Sequence, residues 1–342
     1  MGRPIIDVHG HFTSAPPELA GIRAAQLTEL NKPRKHSLNL PDDKVAAAVR
    51  KQLSAMDSRG ITHILFSPTA SKMGHMIGDE RISLYWSQVN NDLIAQVCRL
   101  YPDKFSGICQ LPQSPGVSPA NCVEELERCV LELGFVGCNV NPDVSGGVHP
   151  LTPSLGDEYW YPLWEKMVEL DVPGMIHASA TYVPNMHPNG SNYVVQDYAA
   201  VVELCASRVF EAFPALRLII PHGGGGIPFQ YNRHRSLHLG GFMNTQTPFE
   251  EAVKHIYFDS AVYDADSLGM LFRKMGIGNV LFGSEMFGTA APIDPLTGRS
   301  FDDIVPIIDK METLTEEDKN NIFWKNALRI YPRLQGRLSI TL

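Results

Sequence analysis

The sequence lacks the long apolar runs and the concentrated positive charge that mark membrane-spanning and nucleic-acid-binding proteins. No stretch approaches the roughly 20 apolar residues that cross a bilayer, and the first residues have no leader-like apolar region. With 29 Lys and Arg against 37 Asp and Glu, the net charge is −8, so no basic surface is available to neutralise phosphates. We therefore expect neither a membrane nor a nucleic-acid partner. An acidic substrate stays possible, because a pocket can be locally positive.

The sequence contains few cysteines, and their spacing indicates neither a metal-binding motif nor a set of disulfides. The six cysteines form no Cys-x-x-Cys motif, and several lie in strand or helix patterns where a thiol acts as a small apolar side chain. We interpret them as reduced thiols of a cytoplasmic protein, with a disulfide as the minor alternative. The chain also lacks internal repeats and linkers, so we predict a single domain over residues 1–342.

Short apolar runs alternate with amphipathic segments along the whole chain. The apolar runs are mostly continuous, as in strands buried on both faces of a parallel sheet. We predict eight strands, at residues 5–8, 63–67, 105–111, 134–140, 172–177, 217–222, 255–260 and 279–284. Helical spacing separates them, for example at Val45, Val49 and Met56. Eight such units predict a (β/α)₈ barrel of the TIM type, with a doubly wound sheet as the alternative.

Two long polar segments follow predicted strands. Residues 13–39 come after the first strand, and residues 178–193 come after the fifth. The loops that follow barrel strands build the active-site face, so we expect both segments to form walls of a substrate site. The run of four glycines at residues 223–226 could cradle an anion or let the backbone approach a substrate closely.

Histidines stand at the ends of the first and fifth predicted strands. His9 and His11 are two residues apart at the first strand, so their side chains can converge on one point. His177 ends the fifth strand. In a barrel these ends meet at one mouth, and three imidazoles leave a coordination position open for water. We predict a catalytic divalent metal site with these three ligands.

Glu285 and His222 end two further strands at the same mouth. Glu285 could be a fourth metal ligand, or it could act as the base that takes the proton of a water. His222 could be another ligand or a general acid, and we favour the acid. A rim salt bridge for Glu285 and a core position for His222 are the structural alternatives.

These motifs together resemble the amidohydrolase superfamily. The likeness rests on Asp-Val-His-Gly-His at the first strand, His177, His222-Gly-Gly, Leu-Phe-Gly-Ser-Glu at the eighth strand and the Asn-Ala-Leu-Arg-Ile-Tyr ending at residues 326–331. It covers essentially the whole chain and points to the decarboxylase and hydratase branch. That branch usually has Asp where this chain has Glu285, whose carboxylate reaches about 1.5 Å further.

The resemblance implies a zinc-dependent hydro-lyase, with Mn²⁺ as another possible metal. The implied substrate is a small tricarboxylate whose alkene is conjugated to a keto acid. Glu285 would deprotonate the attacking water, and His222 would protonate carbon. The metal would either activate that water or polarise a substrate oxygen.

A tricarboxylate requires cationic and polar groups around it. Arg233 is the first choice, because a guanidinium binds a carboxylate with two hydrogen bonds. The other candidates for substrate binding are Tyr193, Asn189, Asn141, Ser71 and Lys72. For each of these residues an ordinary loop position is the alternative.

Three other functions are compatible with the same residues. They are a metal-dependent decarboxylase, a hydrolase of a lactone or amide, and a catalytically inactive barrel that acts as a binding protein. Tight metal binding would argue against the last of these. We also expect a homo-oligomer.

Overall fold

The fold is an eight-stranded parallel barrel surrounded by helices, in a computed structural model that describes residues 2–243 and 245–338. The strands are β1 (Ile6–His11), β2 (His63–Ser67), β3 (Phe105–Gln110), β4 (Gly137–Val140), β5 (Gly174–Ile176), β6 (Leu218–Ile220), β7 (Ile256–Asp259) and β8 (Val280–Leu281). Each strand pairs in parallel with the next. The Val8 amide donates to the Phe282 carbonyl (2.9 Å) and joins the last strand to the first. The barrel prediction is confirmed.

Helices follow or precede every strand. They are α1 (Pro17–Thr28), α2 (Asp42–Arg59), α3 (Glu80–Leu100), α4 (Val123–Glu127), α5 (Tyr161–Glu169), α6 (Asn192–Cys205), α7 (Val209–Ala212), α8 (Ile227–Leu239), α9 (Phe249–Ala252), α10 (Ala265–Met275), α11 (Val305–Asp309), α12 (Glu316–Asn320) and α13 (Asn326–Ile330). Shorter 3₁₀ segments are Ala70–Lys72, Pro119–Cys122, Glu158–Trp160, His222–Gly224, Val253–His255, Ile277–Asn279 and Pro332–Leu334. Two π-helical segments are Arg128–Glu132 and Asn321–Lys325.

Two apolar layers hold the barrel together. The outer layer packs strands against helices, with Trp160, Trp164 and Phe66 fully buried. The inner layer fills the barrel below the mouth with side chains such as Ile6 and Leu281, and α13 packs against it. In the part of the chain that the structure describes, no helix has the length and apolar character needed to cross a membrane.

The first strand, β1, departs from the regular alternation of side chains because its pairing register shifts. Ile6 and Val8 both point into the inner layer. Strict alternation along the strand would therefore turn His9 and His11 outward, away from the barrel interior. The pairing of β1 with β2 shifts between Asp7 and Gly10, which is how a bulge re-aims a side chain. Beyond that shift, His9 and His11 face the mouth. A side chain at Gly10 would meet the Ile64 side chain at 2.2 Å.

The glycine run after β6 is explained by packing. Gly225 has φ +59° and ψ −123°, and a Cβ there would lie 2.3 Å from the Val194 carbonyl oxygen in α6. Gly224 has φ +75°, and its Cβ would meet the Phe258 ring at 2.7 Å. We expected this run to cradle an anion or to approach a substrate, but the close contacts in the structure are with neighbouring elements of the protein.

We predict that Gly225→Ala destabilises the protein by about 3 kcal/mol or more, because it combines a forbidden backbone conformation with a backbone clash. Gly226→Ala is the matched control, since its φ is −88° and its Cβ would be no closer than 3.4 Å to another atom. We expect that variant to change stability by less than about 1 kcal/mol. Denaturant unfolding of both variants measures this, and equal stability would contradict the packing explanation.

Candidate metal and catalytic site

Three imidazoles converge at the mouth of the barrel. The His11 Nε2 atom lies 3.1 Å from His9 Nε2 and 3.1 Å from His177 Nε2. All three side chains are buried, with 5 % exposure at most. The structure thus places the three predicted metal-binding histidines around one point.

The other ring nitrogen of each histidine is occupied. His9 Nδ1 lies 2.6 Å from Asp259 Oδ2, His11 Nδ1 lies 2.7 Å from Ser67 Oγ, and His177 Nδ1 lies 2.8 Å from the Ala178 carbonyl oxygen. These partners accept a hydrogen bond from the Nδ1–H group, so they select the tautomer in which each Nε2 carries a lone pair.

Two of these imidazoles, those of His11 and His177, are held in their neutral form. Burial, with the neighbouring imidazoles, lowers the pKa of His11 to about 3 and that of His177 well below its ordinary value. Three buried lone pairs that point at one another are unfavourable without a cation between them. The donor set therefore fits a divalent metal of the kind that imidazole binds, including zinc and manganese.

Asp7 holds the β1 irregularity beneath these histidines. Its fully buried carboxylate accepts hydrogen bonds from the His9 amide (3.0 Å), the Ser284 amide (3.0 Å) and the Ser284 hydroxyl. Burial raises the pKa of Asp7 to about 6, although these hydrogen bonds favour the charged form. Asp7 thus ties the first strand to the segment that carries Glu285.

Glu285 stands beside the imidazoles with its carboxylate fixed. Its Oε2 accepts a hydrogen bond from the Tyr263 hydroxyl (3.0 Å), which the segment after β7 supplies. The Glu285 backbone has φ +50°, and its amide donates to the His9 carbonyl (3.1 Å). A Cβ at Gly288 would lie 2.6 Å from Glu285 Cδ, so glycine is required there. Such backbone strain is retained where surrounding contacts impose it, and it often marks a functional site.

His222 is aimed at Glu285 by a second carboxylate. Its Nδ1 lies 2.7 Å from Asp197 Oδ2 in α6, and its Nε2 lies 3.7 Å from Glu285 Oε2. Burial alone would lower the pKa of His222, but Asp197 and Glu285 together raise it well above its ordinary value. The same pairing outweighs the burial of Glu285 and lowers its pKa. Without a cation, His222 is therefore the protonated imidazole and Glu285 the ionised carboxylate of the site.

Four ligand atoms, one each from His9, His177, His222 and Glu285, all lie within 4.8 Å of one another. His222 and Glu285 are thus near enough to serve either as ligands or as acid and base. A cavity of about 240 Å³ opens beside them. Its walls include His11, Thr13, Thr69, Ser71, His177, Asn189, Tyr193, Glu285, Phe287, Gly288 and Thr289.

The predicted substrate-binding residues divide into two groups. Ser71, Asn189 and Tyr193 line the cavity, and the long segment after β5 forms a wall as expected. The Tyr193 ring lies 5.9 Å from the His177 ring.

The remaining three predicted residues lie outside that lining. Arg233 is exposed on α8, and Lys72 lines a different pocket beside α1. Asn141 is buried, and its side-chain amide caps backbone groups of Asp143 and Ser179.

Sequence reasoning missed the groups that orient the site. Asp259 ends β7 just as the histidines end their strands, so inspection of that strand end could have found it. Asp197 lies inside a helix and Tyr263 in a loop, and neither position carries a pattern that indicates its contact.

Comparison with known proteins defines the class. The model of the amidohydrolase family matches residues 6–333. The chain therefore belongs to the amidohydrolase family, as the motifs predicted.

Within that family, two similar proteins are hydratases. The chain is 40% identical over 337 residues to the 2-keto-4-carboxy-3-hexenedioate hydratase of Sphingobium, with 98% of each sequence covered. The crystal structure of 4-oxalomesaconate hydratase from Rhodopseudomonas palustris matches with a TM-score of 0.87 at 40% identity and covers 96% of each chain.

More distant similarity reaches decarboxylases. The γ-resorcylate decarboxylase of Polaromonas is 28% identical over 82% of this chain and 86% of its own. A dihydroxybenzoic acid decarboxylase from Polaromonas, solved with bound manganese, shares the fold with a TM-score of 0.72 at 20% identity and covers 99% of this chain and 100% of its own. Divalent metal is thus present in a protein of the same fold.

We predict that Asp259→Asn lowers metal affinity by about 10- to 100-fold, because an amide holds the His9 Nδ1–H group less strongly than a carboxylate does. Metal content after equilibration against buffered metal measures this. His177→Ala, which removes a ligand, should lose the metal entirely. Asp171→Asn is the control, since Asp171 pairs with Arg217 at the surface. An unchanged affinity in Asp259→Asn would contradict the prediction.

Proposed function

We propose that this protein is a metal-dependent hydro-lyase that adds water to the conjugated alkene of 4-oxalomesaconate. The product is 4-carboxy-4-hydroxy-2-oxoadipate, and the reaction belongs to protocatechuate 4,5-cleavage in the catabolism of lignin-derived aromatics. Support comes from the near-full-length likeness to two hydratases. The observation that carries the proposal is that Glu285 both has a carboxylate oxygen within 4.8 Å of the ligand nitrogens of His9, His177 and His222 and lines the open cavity.

We assign the metal site to His9, His11 and His177, with Glu285 as ligand or neighbouring base and Zn²⁺ as the metal. A divalent metal there would lower the pKa of a water toward about 7 or stabilise negative charge on a substrate oxygen. Mn²⁺ is the other candidate, since imidazole nitrogens accept both metals.

Glu285 is assigned as the general base. It takes one proton from the attacking water. With the carbons numbered as in the product, the water oxygen bonds to C4, and the electrons of the C3–C4 alkene move toward the oxygen of the 2-keto group. Tyr263 holds Oε2 of this carboxylate by a hydrogen bond and thereby fixes its orientation. A positioned base contributes about 10²- to 10⁴-fold to such a step.

His222 is assigned as the general acid. Its proton goes to C3 of the enolate, which completes the addition of one water across the C3–C4 bond. Asp197 fixes Nδ1, so the transferable proton is at Nε2. Since Nε2 and Glu285 Oε2 are 3.7 Å apart, the proton that Glu285 gained can return to His222 and reset both groups.

The substrate carboxylates would meet Ser71, Asn189 and Tyr193 in the cavity. Arg233, Lys72 and Asn141 remain predictions as substrate-binding residues. The homo-oligomer also remains a prediction. We propose that the protein is located in the cytoplasm, because all six of its cysteines are free thiols.

The function is tested by product analysis with metal-replete protein and 4-oxalomesaconate. Mass spectrometry and NMR should detect the gain of one water, and a chelator should abolish it. Loss of carbon dioxide from this substrate would instead favour the decarboxylase alternative and overturn the hydratase. Lactone hydrolysis without hydration would overturn it as well.

We predict that Glu285→Gln keeps the metal largely bound and lowers turnover by about 10³-fold or more, because an amide cannot accept the proton of water. Turnover and metal content are measured together. Glu317→Gln, at an exposed ion pair with Lys325, is the matched control. Turnover close to wild type in Glu285→Gln would eliminate Glu285 as the base.

We predict that Asp197→Asn lowers kcat by about 10- to 100-fold while KM and metal content change little, because His222 loses the carboxylate that holds its Nδ1–H group. Steady-state kinetics and metal analysis separate this positioning role from a folding defect. Asp92→Asn at the surface is the control. A change confined to KM would contradict the assignment.

A further inference from the structure

A second pocket lies outside the barrel, between α1 and α3. Its volume is about 450 Å³, within the range of small-molecule sites. Apolar side chains form most of its wall, among them Phe12, Leu19, Trp86 and Leu93. It is separate from the catalytic cavity, although Thr69 contributes to the walls of both.

Among the described residues that line this pocket, the ionisable ones are two basic residues, Arg23 and Lys72. Within the described residues, no carboxylate lies within 4 Å of either side-chain charge. Some exposed cations of the protein, such as Lys44 and Arg81, do have such partners. The pocket therefore combines positive charge that has no nearby carboxylate with an apolar surface.

Arg23 is partly removed from water without a counterion. Its Nη1 donates to Gln26 Oε1 (3.2 Å), and its Nη2 donates to the carbonyls of Met73 (2.9 Å) and Gly74 (3.2 Å). Burial lowers the pKa of Arg23 to about 10. Neutral acceptors satisfy these hydrogens but leave the charge uncompensated, and a carboxylate would compensate it.

Trp86 forms an aromatic part of the pocket wall next to Arg23. The guanidinium of Arg23 lies 4.9 Å from the centre of the Trp86 ring, and the Trp86 Nε1 atom donates to the Lys72 carbonyl (3.3 Å). A ligand whose anionic end meets Arg23 would therefore lay its apolar body along Trp86 and Leu93.

We propose that this pocket is a second binding site, for a compact monocarboxylate with an apolar aromatic or acyl body. The carboxylate pairs with Arg23, Lys72 adds charge at the rim, and the body fills the apolar wall. This site does not depend on the proposed catalytic function, because none of the groups assigned to proton transfer lines it.

Calorimetric titration of the intact metal-replete protein tests the proposal, with cinnamate and octanoate as probes for the aromatic and acyl forms. We expect saturable binding of one equivalent of at least one acid, and binding about tenfold weaker for the uncharged cinnamamide. Arg23→Met should weaken binding of the acid about tenfold or more. His177→Ala, which is expected to lose the metal and to alter the catalytic cavity, should leave binding unchanged within about twofold.

Arg23→Met also removes hydrogen bonds between α1 and residues 73 and 74, which could impair folding. A second variant that keeps Arg23 therefore tests the site independently. Ala24→Phe keeps Arg23 and adds a ring from an exposed position on the pocket wall. It should abolish binding of the probe while preserving the unfolding temperature. Absence of binding to the wild type, equal affinity for cinnamamide, or loss of binding only in His177→Ala would each overturn the proposal.

Discussion

The central constraint in this structure is the burial of three imidazole lone pairs that face one another. Each Nε2 is turned toward this point because the partner of its Nδ1, which is Asp259, Ser67 or the Ala178 carbonyl, accepts a hydrogen bond from the Nδ1–H group. Neighbouring neutral acceptors in a water-poor site repel, so the arrangement is stable only with a cation or a competing proton. The surrounding elements serve to keep these nitrogens aligned, and the carboxylate–imidazole pair Glu285–His222 is built around the same point.

Strand ends alone do not create this geometry. The shift in β1 pairing turns His9 and His11 inward beyond the inner apolar layer, and Asp7 secures the shift through Ser284 of the eighth-strand segment. One buried carboxylate thus couples the histidine pair to the backbone that carries Glu285. In the described part of the chain four non-glycine residues have positive φ, and three of them, His222, Glu285 and Phe287, lie at this mouth. The local strain is concentrated where the reacting groups must be held against their conformational preferences.

The sequence predicted the barrel and the converging histidines because both depend on local regularities, namely buried strand patterns and their shared C-terminal edge. It could not predict Asp197 or Tyr263, because their contacts depend on how α6 and the loop after β7 pack over the mouth. The glycine run illustrates the same limit, since composition alone could not distinguish a ligand cradle from contact with Val194 and Phe258. Lys72 follows the second strand as predicted, yet in the 3₁₀ turn Ala70–Lys72 it lines the neighbouring pocket while Ser71 lines the mouth.

The apolar filling of the barrel has a kinetic consequence. Ile6, Leu281 and their neighbours close the space beneath the imidazoles, and α13 packs across the opposite end. A substrate must therefore leave its bulk water and enter through the same opening by which product departs. Each turnover requires the mouth to empty before it can refill, so substrate and product both pass the wall that includes Tyr193 and Asn189.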